Sequence, residues 1–133
     1  MTFPPDSYLA TGEIFGYLWW VRHNFMGYRN GYVDVPEGHP WFGEDYHDIH
    51  ANVHGGLTFA QANDNGAWTI GFDCAHLGDQ QDTSLPYQTI IAGPSFPEAT
   101  IKDDRYVAIE CIHLCLQARD AYIDYVASKE SSS

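Results

Sequence analysis

The segment from Trp68 to Ala75 alternates strictly between large apolar side chains and small or polar ones. The apolar positions are Trp68, Ile70, Phe72 and Cys74. A period of two is typical of a β-strand with one covered face. The pattern therefore predicts a strand and places Asp73 on the face opposite the apolar set. Such a strand needs a second layer of structure to cover its apolar face.

Turn signals place a second strand beside this one. The stretch Gln61 to Gly66 is rich in Asn, Asp and Gly, which is typical of a turn. It predicts an antiparallel hairpin that joins a strand over Leu57 to Ala60 with the alternating strand. A further strand is predicted over Ile49 to Val53, with Gly55-Gly56 as a bend between the two.

The N-terminal part of the chain also favours strands. The segment Ile14 to Phe25 is rich in aromatic and β-branched residues, which suit a pleated surface. Asn30-Gly31 predicts a tight turn, and Tyr32 to Val35 is then the returning strand of a hairpin. Met1 to Gly12, with two prolines, is predicted to be an irregular leader.

The C-terminal part predicts one long helix, which begins at Thr100 or Asp103 and runs to about Ala127. Thr100-x-x-Asp103 resembles a capping box with Asp in place of Glu. Apolar residues recur at helical spacing and form one stripe: Val107, Cys111, Leu114, Ala118, Ala121 and Tyr125, widened by Ile112, Cys115, Tyr122 and Val126. The preceding segment, Leu77 to Pro97, has no clear period. It is predicted to be a long covering or binding loop, with a short strand near Gln88 to Ala92.

These elements predict one α+β domain. A largely antiparallel sheet of about five strands has the C-terminal helix packed on one face. Residues 1–12 form the leader, and residues 129–133 form a frayed tail. The apolar excess also predicts a homodimer, with two-fold symmetry as the default.

The charge balance argues against several classes of partner. The net charge is −12, with 18 acidic and only 6 basic residues. Binding to nucleic acid or to an anionic membrane depends on Lys and Arg, so neither is expected. An acidic protein that mimics nucleic acid stays open as an alternative.

The cysteines and the N-terminus indicate a reducing compartment. Three cysteines without paired spacing do not suggest a disulfide framework. The N-terminus has no basic region followed by a long apolar run, so no signal peptide is predicted. No stretch approaches the roughly 20 apolar residues of a membrane span. We therefore expect a cytoplasmic protein.

Three histidines are spaced as H-x2-H-x3-H, at His47, His50 and His54. On a helix they would share a face and could bind zinc, which needs three or four close ligands. The segment is predicted to be a strand, so the three rings would not converge. A zinc or other divalent-metal site here is not favoured, and no cofactor is predicted.

A second polar group follows the alternating strand, where Asp73 is succeeded by His76 and Asp79. An acid beside a histidine can orient it or raise its pKa. These residues are candidates for general acid–base chemistry. A structural hydrogen-bond network that holds the following loop is the alternative.

The predicted hairpin brings His54 into the same group. Counted outward from the turn at Gln61 to Gly66, His54 lies at the same end of the hairpin as Asp73 and His76. Gly55 and Gly56 carry no side chains that would keep these groups apart. We therefore predict that His54, Asp73 and His76 approach one another, with Asp48 and Asp79 at the edge of the same cleft.

Several strings resemble a family of small uncharacterised proteins of tailed bacteriophages. They are G-Y-V-D-V-P-E-G-H-P from Gly31, V-H-G-G-L-T-F from Val53 and W-T-I-G-F-D-C-A-H-L-G-D from Trp68, and K-D-D-R-Y-V-A-I-E-C from Lys102 is similar to the end of that family. The resemblance implies a phage protein in the cytoplasm of an infected bacterium. It carries no assigned activity. It also implies acids at the positions of His47 and His50, which weakens the three-histidine site.

Small phage proteins of this kind suggest a non-enzymatic binding protein that counters host defence. It would sequester a small nucleotide-like signal or inhibit a host defence protein. Ligand-binding candidates are the aromatic residues Trp41, Tyr46 and Phe42, the cations Arg22 and Arg29, and the Gly55-Gly56 backbone with Asp48, His54, Asp73, His76 and Asp79. A small hydrolase with a His/Asp site, an acidic nucleic-acid mimic and a virion component are the alternatives.

Overall fold

The computed structural model describes residues 8–24, 26–76, 78–84 and 98–131. They form five strands and one long helix: β1 (Ala10–Ile14), β2 (Tyr17–His23), β3 (Arg29–Val35), β4 (Phe59–Ala62), β5 (Trp68–Asp73) and α1 (Asp104–Ser131). A short 3-10 helix, Tyr46–Asp48, lies between β3 and β4. The predicted α+β class is confirmed.

The strands form one sheet in the order β1-β2-β3-β5-β4, and each neighbouring pair is antiparallel. The hairpin predicted around the alternating strand is present, since β4 pairs with β5 through Phe59 opposite Gly71 and Ala62 opposite Trp68. The strand predicted from Leu57 begins at Phe59, but the Thr58 N–H still donates to Gly71 O at 2.9 Å. The hairpin thus directs residues 54–57 toward the end of β5.

The prediction for the N-terminus is wrong in two respects. The irregular leader was expected to extend to Gly12, but β1 begins at Ala10. The single strand over Ile14 to Phe25 is instead a hairpin of β1 and β2 with Phe15-Gly16 as its turn, at φ values of 55° and 83°. Asn-Gly or Asp-Gly is the usual sequence of such a turn. A turn with phenylalanine at its first position was therefore not predicted.

The predicted Asn30-Gly31 turn is also wrong, because both residues lie inside β3. The chain reverses earlier, where the Asn24 side chain accepts the Met26 and Tyr28 N–H groups at 2.9 and 3.2 Å. A Cβ on Gly31 would lie 2.4 Å from Phe72 Cζ. Gly31 is therefore required for close packing and not for a turn.

The segment 49–53 was predicted to be a strand and is not one. Its backbone is paired by the helix instead, since Asn52 N–H donates to Gln117 Oε1 at 2.7 Å and Gln117 Nε2 donates to Asn52 O at 2.9 Å. Ile49 and Val53 are still buried. The side-chain amide of Gln117 thus makes, at Asn52, the two backbone hydrogen bonds that a neighbouring strand would make. The strand predicted near Gln88 to Ala92 lies outside the described residues.

Helix α1 covers one face of the sheet and contacts β1, β2 and β3. Asp103 caps it, because its Oδ1 accepts the Tyr106 N–H at 2.9 Å. The fully buried residues of the helix are Val107, Cys111, Leu114, Cys115 and Ala118. Most of the predicted stripe is confirmed, but Tyr122 is exposed. The helix also continues to Ser131, past the predicted end at Ala127 and into the predicted frayed tail.

The three cysteines are free thiols in the core. Burial raises the pKa of Cys74 and Cys115 to about 12, and it raises that of Cys111 as well. A buried thiol that stays protonated behaves as a small apolar group. Within the described residues, no helix has both the length and the apolar character needed to cross a membrane.

Candidate functional site

The candidate site is a cluster of polar side chains at the end of the β4–β5 hairpin. Here the loops that precede β4 and follow β5 meet the first turns of α1. The rings of His54 and His76 have centroids 5.6 Å apart. The predicted approach of these two histidines is therefore confirmed.

Gly55 makes this approach possible. Its φ is +68°, and a Cβ at this position would lie 2.1 Å from His76 Cε1. Gly56 has a φ of +83°, but a Cβ there would meet nothing within 4 Å. The two glycines thus differ: Gly55 leaves space for the His76 ring, whereas Gly56 is needed only for the backbone turn.

Asp79 is the centre of the cluster, although it was predicted at its edge. Its side chain is 1% exposed. Its Oδ2 accepts the His76 backbone N–H at 3.0 Å and lies 2.8 Å from His54 Nε2 and 3.3 Å from His76 Nδ1. Burial by itself raises the pKa of Asp79, but the hydrogen bonds from His76 and His54 and the nearby Lys102 outweigh it, so the pKa is lowered. Asp79 is therefore a buried carboxylate in its charged form.

Lys102 occupies the other side of this carboxylate. Its Nζ lies 3.3 Å from Asp79 Oδ1 and donates to Gly78 O at 3.1 Å, and it also contacts Thr100. Among the described residues, Oδ1 has the ion pair with Lys102 but no hydrogen-bond partner. A bridge between Asp79 and Thr100 holds the two segments together.

Helix α1 contributes Tyr106 and Glu110, which lie one turn apart. Tyr106 Oη is 2.8 Å from His54 Nδ1, and Glu110 Oε1 accepts the His54 backbone N–H at 2.9 Å. Burial, and then the negative charges of Glu110 and Asp79, raise the pKa of Tyr106. The phenol therefore keeps its proton. Its oxygen can donate to Nδ1 when His54 carries hydrogen on Nε2, and it can accept from Nδ1–H when Nε2 binds another group.

Sequence reasoning did not find Lys102, Tyr106 or Glu110. Tyr106 and Glu110 are four residues apart on a predicted helix, and that spacing was a usable signal for a shared face. No sequence pattern indicated Lys102, since only the pairing of Asp79 with Thr100 brings Lys102 to the site.

Asp73 lies at the outer side of the cluster. Its Oδ1 is 3.7 Å from His76 Nε2 and accepts the Ala75 N–H at 3.2 Å. The structure thus brings together His54, Asp73, His76 and Asp79, as predicted. It does not bring in Asp48, which is exposed in the short 3-10 helix.

One trio in the cluster has the composition of a metal site. His54, His76 and Asp79 each offer a ligand atom, and these atoms lie within 4.8 Å of one another. In the part of the chain that the structure describes, this is the only group of three or more such residues. The alternative trio fails, because His47 and His50 are exposed and His47 pairs with Asp45 at 3.2 Å.

The predicted aromatic and cationic ligand contacts do not assemble at this site. Trp41 is only 7% exposed and packs in the core against His39, so its ring has no free face for a ligand. Tyr46 packs on His47, with ring centroids 4.2 Å apart. Arg29 is buried in ion pairs with Asp82 and with Asp104, and the second of these ties β3 to the start of α1.

No protein-family model, curated protein or solved structure was found to match this chain. The phage resemblance and the role it implies therefore stay predictions, and the functional argument depends on the geometry of the cluster.

Proposed function

We propose that the protein binds a divalent transition-metal ion of the zinc type through His54 Nε2, His76 Nδ1 and Asp79 Oδ2. The two histidine nitrogens lie 2.8 and 3.3 Å from the carboxylate oxygen. Ligands at zinc-bond lengths in a tetrahedron are about 3.3 Å apart. The three ligand atoms lie within 4.8 Å of one another, so ring movements on the order of 1–2 Å would give this geometry.

The observation that carries the proposal is the outer partner of each histidine. His54 would bind through Nε2, so its hydrogen would be on Nδ1, which lies 2.8 Å from Tyr106 Oη and would donate to it. His76 would bind through Nδ1, and its Nε2 lies 3.7 Å from the Asp73 carboxylate. Metal-binding histidines are typically held in this way by a second polar group, which fixes the ring orientation and the tautomer.

The electrostatics of the site support a cation. Asp79 is buried and ionised, and Lys102 is placed beside Oδ1 and not beside Oδ2. The oxygen nearest both histidines is therefore the one that can bind an ion. The net charge of −12 also raises the local concentration of cations around the chain.

Three protein ligands leave one position open, as in catalytic rather than structural zinc sites. A water molecule or a phosphate oxygen can occupy that position. The site is thus compatible with the predicted nucleotide-like ligand and with the alternative of a small metal-dependent hydrolase. The role in countering host defence is supported by the phage resemblance alone.

Cobalt titration tests the proposal, because tetrahedral Co²⁺ with nitrogen and oxygen ligands has strong visible absorption. We expect saturable binding of one ion per chain, displaced by Zn²⁺ and not by Mg²⁺. A metal at 100 times its dissociation constant should add about 2.7 kcal/mol of stability. His76→Ala should abolish the spectrum.

The matched control is His50→Ala, which removes an exposed histidine outside the cluster and should bind cobalt like the wild type. No spectrum and no thermal shift with any transition metal would overturn the proposal. The cluster would then be the structural hydrogen-bond network that was the sequence-based alternative.

A further inference from the structure

A second apolar stripe runs along helix α1, beside the residues that pack on the sheet. Its members lie at positions that alternate by three and four residues, with Arg119 at the position between Leu116 and Ile123, which is the a/d pattern of a coiled coil. They are Ile109, Ile112, Leu116, Ile123 and Val126, here called the outer stripe. It adjoins the buried sheet-facing set of Val107, Cys111, Leu114, Cys115 and Ala118, because Ile112 is half-buried and also packs against the core.

Two members of the outer stripe are exposed in the single chain, and the other three are half-buried. Ile109 is 42% exposed and Ile123 is 53% exposed. At its C-terminal end, Ile123 and Val126 line a shallow groove of about 320 Å³ with Tyr122, Ala127 and Glu130. A groove lined by apolar side chains marks an interaction site more often than isolated exposed residues do.

Charged residues stand at both ends of the same pattern. Arg105 precedes Ile109 by four residues, and Glu130 follows Val126 by four, so both continue the a/d spacing. The stripe therefore begins with a positive charge and ends with a negative one. This polarity specifies how two copies of the helix can be paired.

We propose that a second copy of the chain covers the outer stripe, with the two α1 helices antiparallel about a two-fold axis. In this arrangement Arg105 lies opposite the partner's Glu130, and the symmetry repeats the pair at the other end. Ile109 then packs on the partner's Val126, and Ile112 on the partner's Ile123. A parallel pair would place Arg105 against the partner's Arg105 and Glu130 against the partner's Glu130, which is unfavourable.

Arg119 is the one charged residue in the middle of the pattern, opposite the partner's Leu116. Its guanidinium lies over the Phe15 ring, 4.4 Å from the ring centroid, and its Nη2 is 3.2 Å from Asp120 Oδ1. The charge is therefore held to the side, toward the β1–β2 turn. The alkyl part of Arg119 is left to cover apolar surface.

Sedimentation velocity over a wide range of concentrations tests the interface. We expect a concentration-dependent dimer of the wild type and at least a ten-fold larger dissociation constant for the double variant Ile109→Glu/Ile123→Glu. Ser128→Glu, on the opposite side of the helix, is the matched control and should dimerise like the wild type. A wild type that is monomeric at every concentration would overturn the proposal, as would a dimer that survives in the double variant.

Cysteine cross-linking tests the orientation, because the three native thiols are buried. A mixture of the Arg105→Cys and Glu130→Cys variants should give a disulfide between the two variants under mild oxidation. Glu130→Cys alone should give little cross-link, and efficient self-linking would contradict the antiparallel arrangement. Arg105→Glu should weaken the dimer, and Arg105→Glu/Glu130→Arg should restore it.

Cobalt binding by the Ile109→Glu/Ile123→Glu variant separates the two proposals. The outer stripe contains none of the three proposed metal ligands, so the monomeric variant should bind cobalt as the wild type does. Loss of the dimer with retained metal binding therefore supports the interface and leaves the metal site unaffected.

Discussion

His39 and His54 both hold a loop against helix α1, but they do so with different kinds of partner. His39 is 4% exposed and bonds only to backbone, with Nε2 2.8 Å from Ala118 O and Nδ1 accepting the Trp41 N–H at 3.0 Å. His54 lies between two ionisable side chains, Asp79 and Tyr106, at 2.8 Å from each. Backbone partners do not titrate and cannot move away. Side-chain partners can release a proton or turn toward a metal.

The two environments lead to different chemistry. The Trp41 N–H fixes His39 as the neutral tautomer with hydrogen on Nε2, and burial lowers its pKa, with the bond to Ala118 O opposing in part. His39 is therefore a structural connection between the loop after β3 and the helix. His54 has His76 beside it and a partly accessible ring, so its bonds can be exchanged for bonds to an ion. The kind of partner, and not the residue type, distinguishes the structural histidine from the proposed metal ligand.

The largest effect is expected on the free energy of unfolding when His39 and His76 are each replaced by alanine. His39→Ala removes the hydrogen-bond partner of the buried Trp41 N–H and opens a cavity. The free energy of unfolding should therefore fall by about 3 kcal/mol. His76→Ala should cost less than about 1 kcal/mol, because its ring is partly exposed and the buried Asp79 keeps His54, Lys102 and the backbone N–H of residue 76 as partners. Urea unfolding measures both values.

Cobalt titration of the same two variants should give the reverse order. His39→Ala should bind with the affinity of the wild type, and His76→Ala should not bind. A His76→Ala variant that loses as much stability as His39→Ala would show that both regions are structural.

A second test uses the two adjacent glycines. Gly55→Ala places a methyl group against the His76 ring at a positive φ, so it should cost about 2 kcal/mol of stability and weaken cobalt binding at least ten-fold. Gly56→Ala has the same backbone cost of about 1 kcal/mol but meets no neighbour. Equal cobalt affinities for the two variants would contradict the view that Gly55 positions His76.

A smaller effect is expected from the outer partner of His76. Asp73→Asn removes the charge beside Nε2 and should weaken metal binding about ten-fold. The free energy of unfolding should change by no more than about 0.5 kcal/mol, since the pair is partly exposed. Unchanged cobalt affinity would mean that Asp73 does not orient the ring.

The smallest effect expected is a two-step pH dependence of the free energy of unfolding. The pKa of His39 is lower in the folded state, so the unfolded state binds more protons and stability should fall as the pH drops below about 6.5. The pKa of Asp79 is also lowered, so the stability it contributes should be lost below about pH 4.

Urea unfolding at a series of pH values measures both steps. His39→Ala should remove the upper step and keep the lower one. An unchanged upper step in this variant would show that another group causes it.

The sequence by itself determined the local features of the fold. The alternation from Trp68 and the turn before it predicted the β4–β5 hairpin, because both signals depend on neighbouring residues. The same hairpin was enough to predict that His54 and His76 meet, since antiparallel pairing fixes which residues lie at the same end. Helix α1 was predicted for the same reason, from spacing within one segment.

Only the tertiary structure decided what surrounds those residues. The packing of the helix on the sheet requires a glycine at position 31 inside β3, because Phe72 and Cys111 leave no room for a Cβ. The bridge between Asp79 and Thr100 moves Asp79 to the centre of the cluster and brings Lys102 beside it. The rotation of α1 about its axis presents Tyr106 to His54. Each of these contacts joins residues that are distant in the chain, and no local pattern in the sequence records such a pairing.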